Sequence, residues 1–395
     1  MAGQILVLNT GSSSIKYELV DVESRARPAR GLVERIGEEE GRLTHHAGDG
    51  PPYERKERFG DHAEGLAAML AAFADAGPAL DPVAVGHRVV HGGTRFREAV
   101  LVDDDVISAI DDLSPLAPLH NPVNLTGIRV AREAFPGVPQ VAVFDTAFHR
   151  TLPPEAYTYA VPLDWRDRLG VRRYGFHGTS CAYVSARAAA LLEREPARTN
   201  LIVLHLGNGA SATAIEGGRS VDTSMGLTPL EGLVMGTRSG DVDPALPGYL
   251  ARAGDMDVAR TEEDLSRRSG LLALTGTGDM REARHRAGEG DERARLALDI
   301  YGRRIRKYIG AYYALLGRLD AIVFTGGVGE HDPATRASAL AGLHRLGITL
   351  DPTRNEAAET GERWVSTPES EVAVLVVPTD EEWEIAREAR ALLRL

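Results

Sequence analysis

A run of four apolar residues, Ile5-Leu6-Val7-Leu8, breaks into Asn9-Thr10-Gly11-Ser12-Ser13-Ser14 and resumes as an alternation of Ile15, Tyr17 and Leu19 with polar neighbours. This pattern predicts a buried strand, a polar turn and a second strand. The design returns at Leu201-Ile202-Val203-Leu204-His205-Leu206, Gly207-Asn208-Gly209 and Ala210-Ser211-Ala212-Thr213-Ala214-Ile215. Backbone N–H groups, hydroxyls and, in the first copy, the Lys16 ammonium can converge in such a turn on one spot, which suits a phosphate chain. Asn, Gly and Ser also dominate ordinary β-turns, so one copy alone would say little. Two copies suggest two halves that each grip one end of a phosphate group. The string G-x-x-x-x-G-K-[ST] does not occur, so such a grip is of another type.

Between and beyond these hairpins, strands and helices alternate. Helical periodicity runs over Ala63–Ala74, Val102–Leu113, Asn124–Phe135, Cys181–Glu193 and Asp291–Leu316. Apolar strands are expected at Val83–Val90, entering His91-Gly92-Gly93; at Gln140–Phe144, ending in Asp145; and at Leu319–Thr325, ending in a glycine turn. A last strand, Val372–Pro378, leads to Thr379-Asp380-Glu381-Glu382, whose acids suit the start of a helix over Trp383–Leu393. The polar stretch Glu38–Glu57 reads as loops or edge strands, and Asp222–Gly248 as loops. Alternation of this kind means an α/β protein.

At 395 residues the chain exceeds one ordinary core, and two domains are expected. The Pro- and aromatic-rich segment Thr146–Tyr174 is the natural junction. A net charge of −12 leaves no basic stripe for nucleic acid. Cys181 is the sole cysteine, so no intramolecular disulfide can form. No signal peptide and no apolar run of about 18 residues is apparent, which gives the expectation of a soluble, cytoplasmic protein with no membrane partner. Lys16, Lys56 and Lys307 are the only lysines among 45 basic residues, which makes an ammonium beside the first turn noteworthy.

Asn9, Asp145 and Glu381 each fall at or just beyond the C-terminal end of an apolar strand, where ligands of open α/β sheets gather. Hard oxygen donors of this kind suit Mg²⁺, although an acid at a helix start also serves simply as a cap. His177 sits in Gly175-Phe176-His177-Gly178, where the glycines admit close approach of a substrate. His91, His120 and His205 lie in comparable turns, and most isolated histidines are structural. No zinc-type spacing and no G-x-S-x-G elbow appears. Arg88 ends a strand and Arg238 lies in Gly236-Thr237-Arg238-Ser239-Gly240; a guanidinium there suits carboxylate or phosphoryl oxygens, or pairs with a nearby acid.

Taken together, the strings N-T-G-S-S-S-I-K, G-H-R-V-V-H-G-G, L-H-N-P, F-D-T-A-F-H, R-R-Y-G-F-H-G-T-S, H-L-G-N-G-A-S, G-T-R-S-G-D-V-D-P, G-G-V-G-E and P-T-D-E-E resemble the acetate and propionate kinase family over nearly the whole chain. The resemblance implies two domains with duplicated βββαβα-type cores, the fold of sugar kinases, actin and heat-shock chaperone ATPases. It places the domains at 1–148 and 149–382, with helix 383–395 packing back on the first, closure of the two domains on a nucleotide, and a homodimer. It implies reversible transfer of the ATP γ-phosphoryl to acetate, giving acetyl phosphate and ADP, with Mg²⁺ or alternatively Mn²⁺. Propionate or butyrate is the alternative acceptor, and an ATPase of the same superfamily that phosphorylates no acyl group is a different class of alternative.

Residue by residue, the resemblance assigns Asn9 and Glu381 to the metal and Lys16 to the nucleotide-phosphate turn. His205, Leu206, Gly207, Asn208 and Gly209, then Asp279, Met280 and Arg281, then Gly327, Val328, Gly329, Glu330 and His331 match its ATP segments. Asp145, His177 and Arg238 match its catalytic groups, and Arg88 its substrate-carboxylate arginine. Val90, Leu119, Phe176 and Pro229 match the apolar pocket for the acyl methyl. Cys181, His331 and Asp380 depart from the family's usual His, Asn and Asn. An acyl carboxylate is ionised at neutral pH and needs alignment and cations rather than a general base, which the two arginines, His177 and Mg²⁺ would supply.

Overall fold

Each continuous apolar run becomes a strand with both faces covered, as parallel strands under helices require. The computed structural model describes residues 3–11, 13–48, 50–254 and 256–395. Ser12 of the first polar turn lies outside the described residues. The chain divides into two compact units, one built from Met1–Arg150 with Asp380–Leu395 and the other from Thr151–Thr379.

In the first unit the strands are β1 (Gln4–Thr10), β2 (Ser14–Asp21), β3 (Ala29–Glu34), β4 (Gly41–Ala47), β5 (Tyr53–Glu57), β6 (Ala84–Val89), β7 (Val100–Leu101) and β8 (Gln140–Phe144). Among the described residues they form one sheet in the order β5-β4-β3-β2-β1-β6-β8-β7. The polar stretch read as loops or edge strands is the β4–β5 hairpin at the end of this sheet. β1 and β2 pair antiparallel with Asn9 opposite Lys16. β1, β6 and β8 run parallel, Leu8 facing His87 and Val89 facing Phe144. That register sets Asn9, Arg88 and Asp145 side by side at the C-terminal ends of three neighbouring strands.

The second unit contains β9 (Asn200–Leu206), β10 (Ala210–Glu216), β11 (Arg219–Thr223), β12 (Ala321–Thr325), β13 (Arg363–Trp364) and β14 (Ala373–Val376). Their order is β11-β10-β9-β12-β14-β13, with β9, β12 and β14 parallel. An antiparallel meander of three strands followed by two parallel strands therefore occurs twice, as β3-β2-β1-β6-β8 and as β11-β10-β9-β12-β14.

Helices cover the first sheet on both faces. His62–Ala76 buries Leu66, Met69, Ala72 and Phe73 in one cluster with Leu6, Leu8, Ile15 and Tyr17. The last helix, Glu381–Leu393, starts two residues before the apolar pattern predicts, because the Asp380 side chain accepts from the Trp383 N–H and caps it. It lies against β1 and β6 so closely that a Cβ at Gly86 would sit 2.7 Å from Ile385.

Periodicity also places the start of the helix Asn121–Ala134 too late, at Asn124. Asn121 and Asn124 point inward and bind backbone: Asn124 Oδ1 accepts from the Val90 N–H (3.1 Å), and its Nδ2 donates to the Thr10 carbonyl (2.8 Å). A buried amide that satisfies backbone occupies a core position without being apolar. The glycine turn expected after β12 is a short helix, Gly326–His331. It is entered through Gly326 at φ 76°, where a Cβ would lie 2.8 Å from the Leu206 carbonyl oxygen.

Candidate active site

In the first unit a guanidinium occupies the C-terminal edge of the parallel strands. Arg88 holds both oxygens of Asp145, its Nε at 3.1 Å from Oδ1 and its Nη2 on Oδ2. Its Nη1 donates to Asn9 Oδ1 at 3.2 Å, and Glu381 Oε2 stands 3.9 Å from its Nε. Burial works against the Arg88 cation, but Asp145 and Glu381 outweigh it and hold the pKa above the usual arginine range. Burial, with Asp145 and Glu382 adding to it against the pull of Arg88, pushes the Glu381 carboxyl up to about 7. The two carboxylates and the Asn9 amide are thus a hard-oxygen donor set gathered around one cation, and a divalent cation beside Glu381 would favour its ionised form.

Lys16, expected at the phosphate turn, lies on β2 with its ammonium 2.8 Å from Glu382 Oε1. Glu382 forms a close acidic group with Glu18 and Asp380. Arg27 binds two of these acids, Asp380 through Nη2 and Glu18 at 3.0 Å through Nε. Lys16 and Arg27 thus already offset the charge of that group.

The second unit supplies a different arrangement. His177 has φ 58°, a left-handed conformation rare outside glycine, and opens the helix Gly178–Leu191. Its Nδ1 lies 3.0 Å from Ser211 Oγ, and its ring stacks on His205 at 4.1 Å between centroids. His205 Nδ1 meets Ser180 Oγ at 2.8 Å, and Ser180 meets Thr379 Oγ1 at 2.7 Å. A Cβ at Gly209 would stand 3.3 Å from Arg238 Nη1 and 3.4 Å from His177 Nε2, so both side-chain ends lie against the turn after β9 at Gly209. Arg238 donates to the Pro229 carbonyl (3.4 Å), and among the described residues no carboxylate lies within ion-pair distance of it. Burial without such a partner lowers its pKa.

Beside this turn lies a cavity of about 740 Å³. Gly207, Asn208, Asp279, Met280, Arg281, Gly327, Val328 and His331, all matched above to the family's ATP segments, are among the residues that line it. His205, Leu206, Gly209, Gly329 and Glu330 are not among its walls. Glu330 Oε1 instead accepts from the N–H groups of Gly326 (2.9 Å) and Thr379 (3.3 Å), bracing the short helix. Gly236, Leu271, Gly278, Arg284, Tyr301 and Asp332 complete the lining and were not legible from motifs. Arg284 is fixed there by Asp332 (2.7 Å) and Thr335 (2.8 Å). Of the residues matched to the acyl pocket, Val90 is buried and Leu119 exposed in the first unit, while Phe176 is buried and Pro229 half-buried in the second.

A duplicated meander-plus-parallel core with a cavity at the strand ends is the fold of sugar kinases, actin and the chaperone ATPases. Residues 4–387 match the model of the acetokinase family. The chain is 58% identical over 390 residues to an acetate kinase of Clavibacter michiganensis subsp. michiganensis, covering 98% of each. It superposes on the crystal structure of Porphyromonas gingivalis acetate kinase with a TM-score of 0.94 at 43% identity, covering 99% of this chain and 100% of that one. A propionate kinase from Francisella tularensis subsp. tularensis gives 0.92 at 40% identity, covering 98% of both. The chain belongs to the acetokinase family, whose members are ATP-dependent phosphotransferases with a carboxyl group as acceptor.

Proposed function

We propose that this protein reversibly transfers the γ-phosphoryl of ATP to acetate, giving acetyl phosphate and ADP. The observation that carries the reading is Arg238, a largely buried guanidinium with no acid beside it among the described residues, facing Gly209 together with His177 Nε2 next to the cavity. A buried cation without a counter-ion calls for an anion, and a transferring phosphoryl group is one. Arg238 and His177 hold that group while its bond to the ATP bridging oxygen breaks and a bond to an acetate oxygen forms, the negative charge passing from the carboxylate to the departing ADP oxygen. Ser211, at Nδ1, orients the imidazole. Arg88, already ordered by Asp145, takes the acetate carboxylate. Val90, Leu119, Phe176 and Pro229 are the apolar residues proposed to exclude water around the methyl group. Adenosine is assigned to the cavity walled by Asn208, Asp279–Arg281, Gly327 and Val328.

Asn9 and Glu381 would hold Mg²⁺, which supplies positive charge to the phosphate oxygens when bound. Lys16 reaches a phosphate only by leaving Glu382. The active species is taken to be a cytoplasmic homodimer. Propionate is the second reading, favoured by the likeness to a solved propionate kinase; one methylene in an apolar pocket alters preference by only about 1–3 kcal/mol.

Purified protein incubated with ATP, Mg²⁺, hydroxylamine and either acid is expected to yield acyl-hydroxamate, with kcat/KM higher for acetate. ATP hydrolysis without hydroxamate would refute acyl phosphorylation, and a higher value for propionate would reverse the substrate order.

A further inference from the structure

The segment that ends at Phe176 and the loop that carries Pro229 are tied together by one partly buried arginine that no assigned role includes. Arg173 Nη1 donates to three successive backbone carbonyls, those of Thr223 (2.9 Å), Ser224 (3.2 Å) and Met225 (3.1 Å). Its Nη2 donates to Glu231 Oε1 at 2.6 Å, and Glu231 Oε2 accepts from the Tyr159 hydroxyl. That hydroxyl accepts in turn from the Leu227 N–H at 2.9 Å. The next two residues complete the tie, because the N–H groups of Tyr174 and Gly175 converge on the Gly226 carbonyl at 3.0 and 3.3 Å. A Cβ at Gly226 would collide with both Glu231 and Tyr159. The loop from Thr223 to Glu231 is therefore closed at its base by a single guanidinium fork.

Pro229 lies within that closed loop, and its carbonyl accepts from Arg238. Phe176 follows directly on the paired Tyr174 and Gly175. The spacing between the Phe176 and Pro229 backbones is thus held by the Arg173 fork together with the two backbone bonds to Gly226. A planar five-donor group can serve three carbonyls and a carboxylate together; an ammonium has three donors and no fork.

We propose that Arg173 is a positioning residue for acyl-chain selectivity: with Glu231 and Tyr159 it fixes the Pro229 loop against the Phe176 segment and so sets the room left for the acyl group. This rests on the assignment of Phe176 and Pro229 to the acyl pocket. The loop is held by a polar clamp, so loosening the clamp should admit a longer chain before it harms nucleotide binding.

The test is steady-state kinetics of Arg173→Lys and of the milder Glu231→Gln, with acetate and propionate as the varied acids and ATP as a separate series. In Arg173→Lys the KM for acetate is expected to rise about tenfold, the scale of one lost charge-assisted hydrogen bond. The propionate-to-acetate ratio of kcat/KM should rise about fivefold while the KM for ATP stays within twofold. Glu231→Gln keeps an acceptor and should move both quantities the same way by less. If Arg173→Lys fails to fold, the Glu231→Gln selectivity ratio decides alone. An unchanged ratio in a folded variant, or an equal rise in both KM values, overturns the proposal. Absence of acyl phosphate from the unaltered protein would instead refute the functional assignment on which it rests.

Discussion

At the scale of single residues, Arg88 and Arg238 are opposite cases of a buried cation. Arg88 holds an Asp145 side chain that is only 2% exposed, so Arg88→Ala removes a cation from beside a buried carboxylate. It is expected to lower the melting temperature, at about 3–5 kcal/mol of fold stability, as well as abolish turnover. Arg238 has no carboxylate partner among the described residues, so Arg238→Ala should leave the melting temperature nearly unchanged while kcat/KM falls about a thousandfold. Calorimetry and kinetics on both variants check this, and a large loss of stability in Arg238→Ala would contradict the reading. Gly209→Ala should act on kcat through sterics alone, because the added methyl enters the space between His177 Nε2 and Arg238 Nη1. Cys181→Ala should change turnover less than about twofold, since the thiol's contact with Thr213, at 3.6 Å, is a weak one.

At the scale of elements, the helix Glu381–Leu393 carries a pH dependence of its own. Burial pushes the Glu388 carboxyl up to about 7; Glu384 and Glu98 add to the rise, while Arg387 and Arg150 oppose it. A raised carboxyl pKa means that the folded state binds more protons than the unfolded one. Its stabilising contribution is complete below about pH 4.5, the unfolded value, and is lost as pH rises through about 7. Glu388→Gln should therefore flatten the fall in melting temperature between pH 5 and 8 and be the more stable protein at pH 8, by at most about 3 kcal/mol. Parallel melting curves for the two proteins across that range would show that Glu388 is not the group responsible.

At the scale of the whole molecule, the first unit is assembled from two distant stretches of chain. Trp383, Ile385, Ala386 and Ala389 of the last helix are buried, and its neighbours are β1 and β6. A fragment ending at Arg150 is thus expected to lack cooperative unfolding by circular dichroism, because one face of its sheet loses its apolar cover. Fusing residues 380–395 to that fragment through a flexible linker should restore a cooperative transition. A cooperative transition in the short fragment alone would show that the helix is dispensable.

The two hairpins, the parallel strands and most helices could be read from the sequence because apolar period and turn chemistry are local properties of the chain. Asn9 and Asp145 stand out in the sequence where an apolar run stops, Arg88 near the end of one, and His177 between glycines, and these local signals are why they are candidates. What tertiary structure alone decided depends on partners far apart in sequence. Lys16 meets Glu382 because the last helix, distant in sequence, brings that acid to it. Asn121 and Asn124 became core residues because backbone carbonyls and N–H groups elsewhere satisfy them. The meeting of His177 and Arg238 at Gly209, and the hold of Arg173 on three carbonyls, likewise exist only once separate segments are packed. Hydrogen-bond geometry between such segments leaves no period for a sequence pattern to carry.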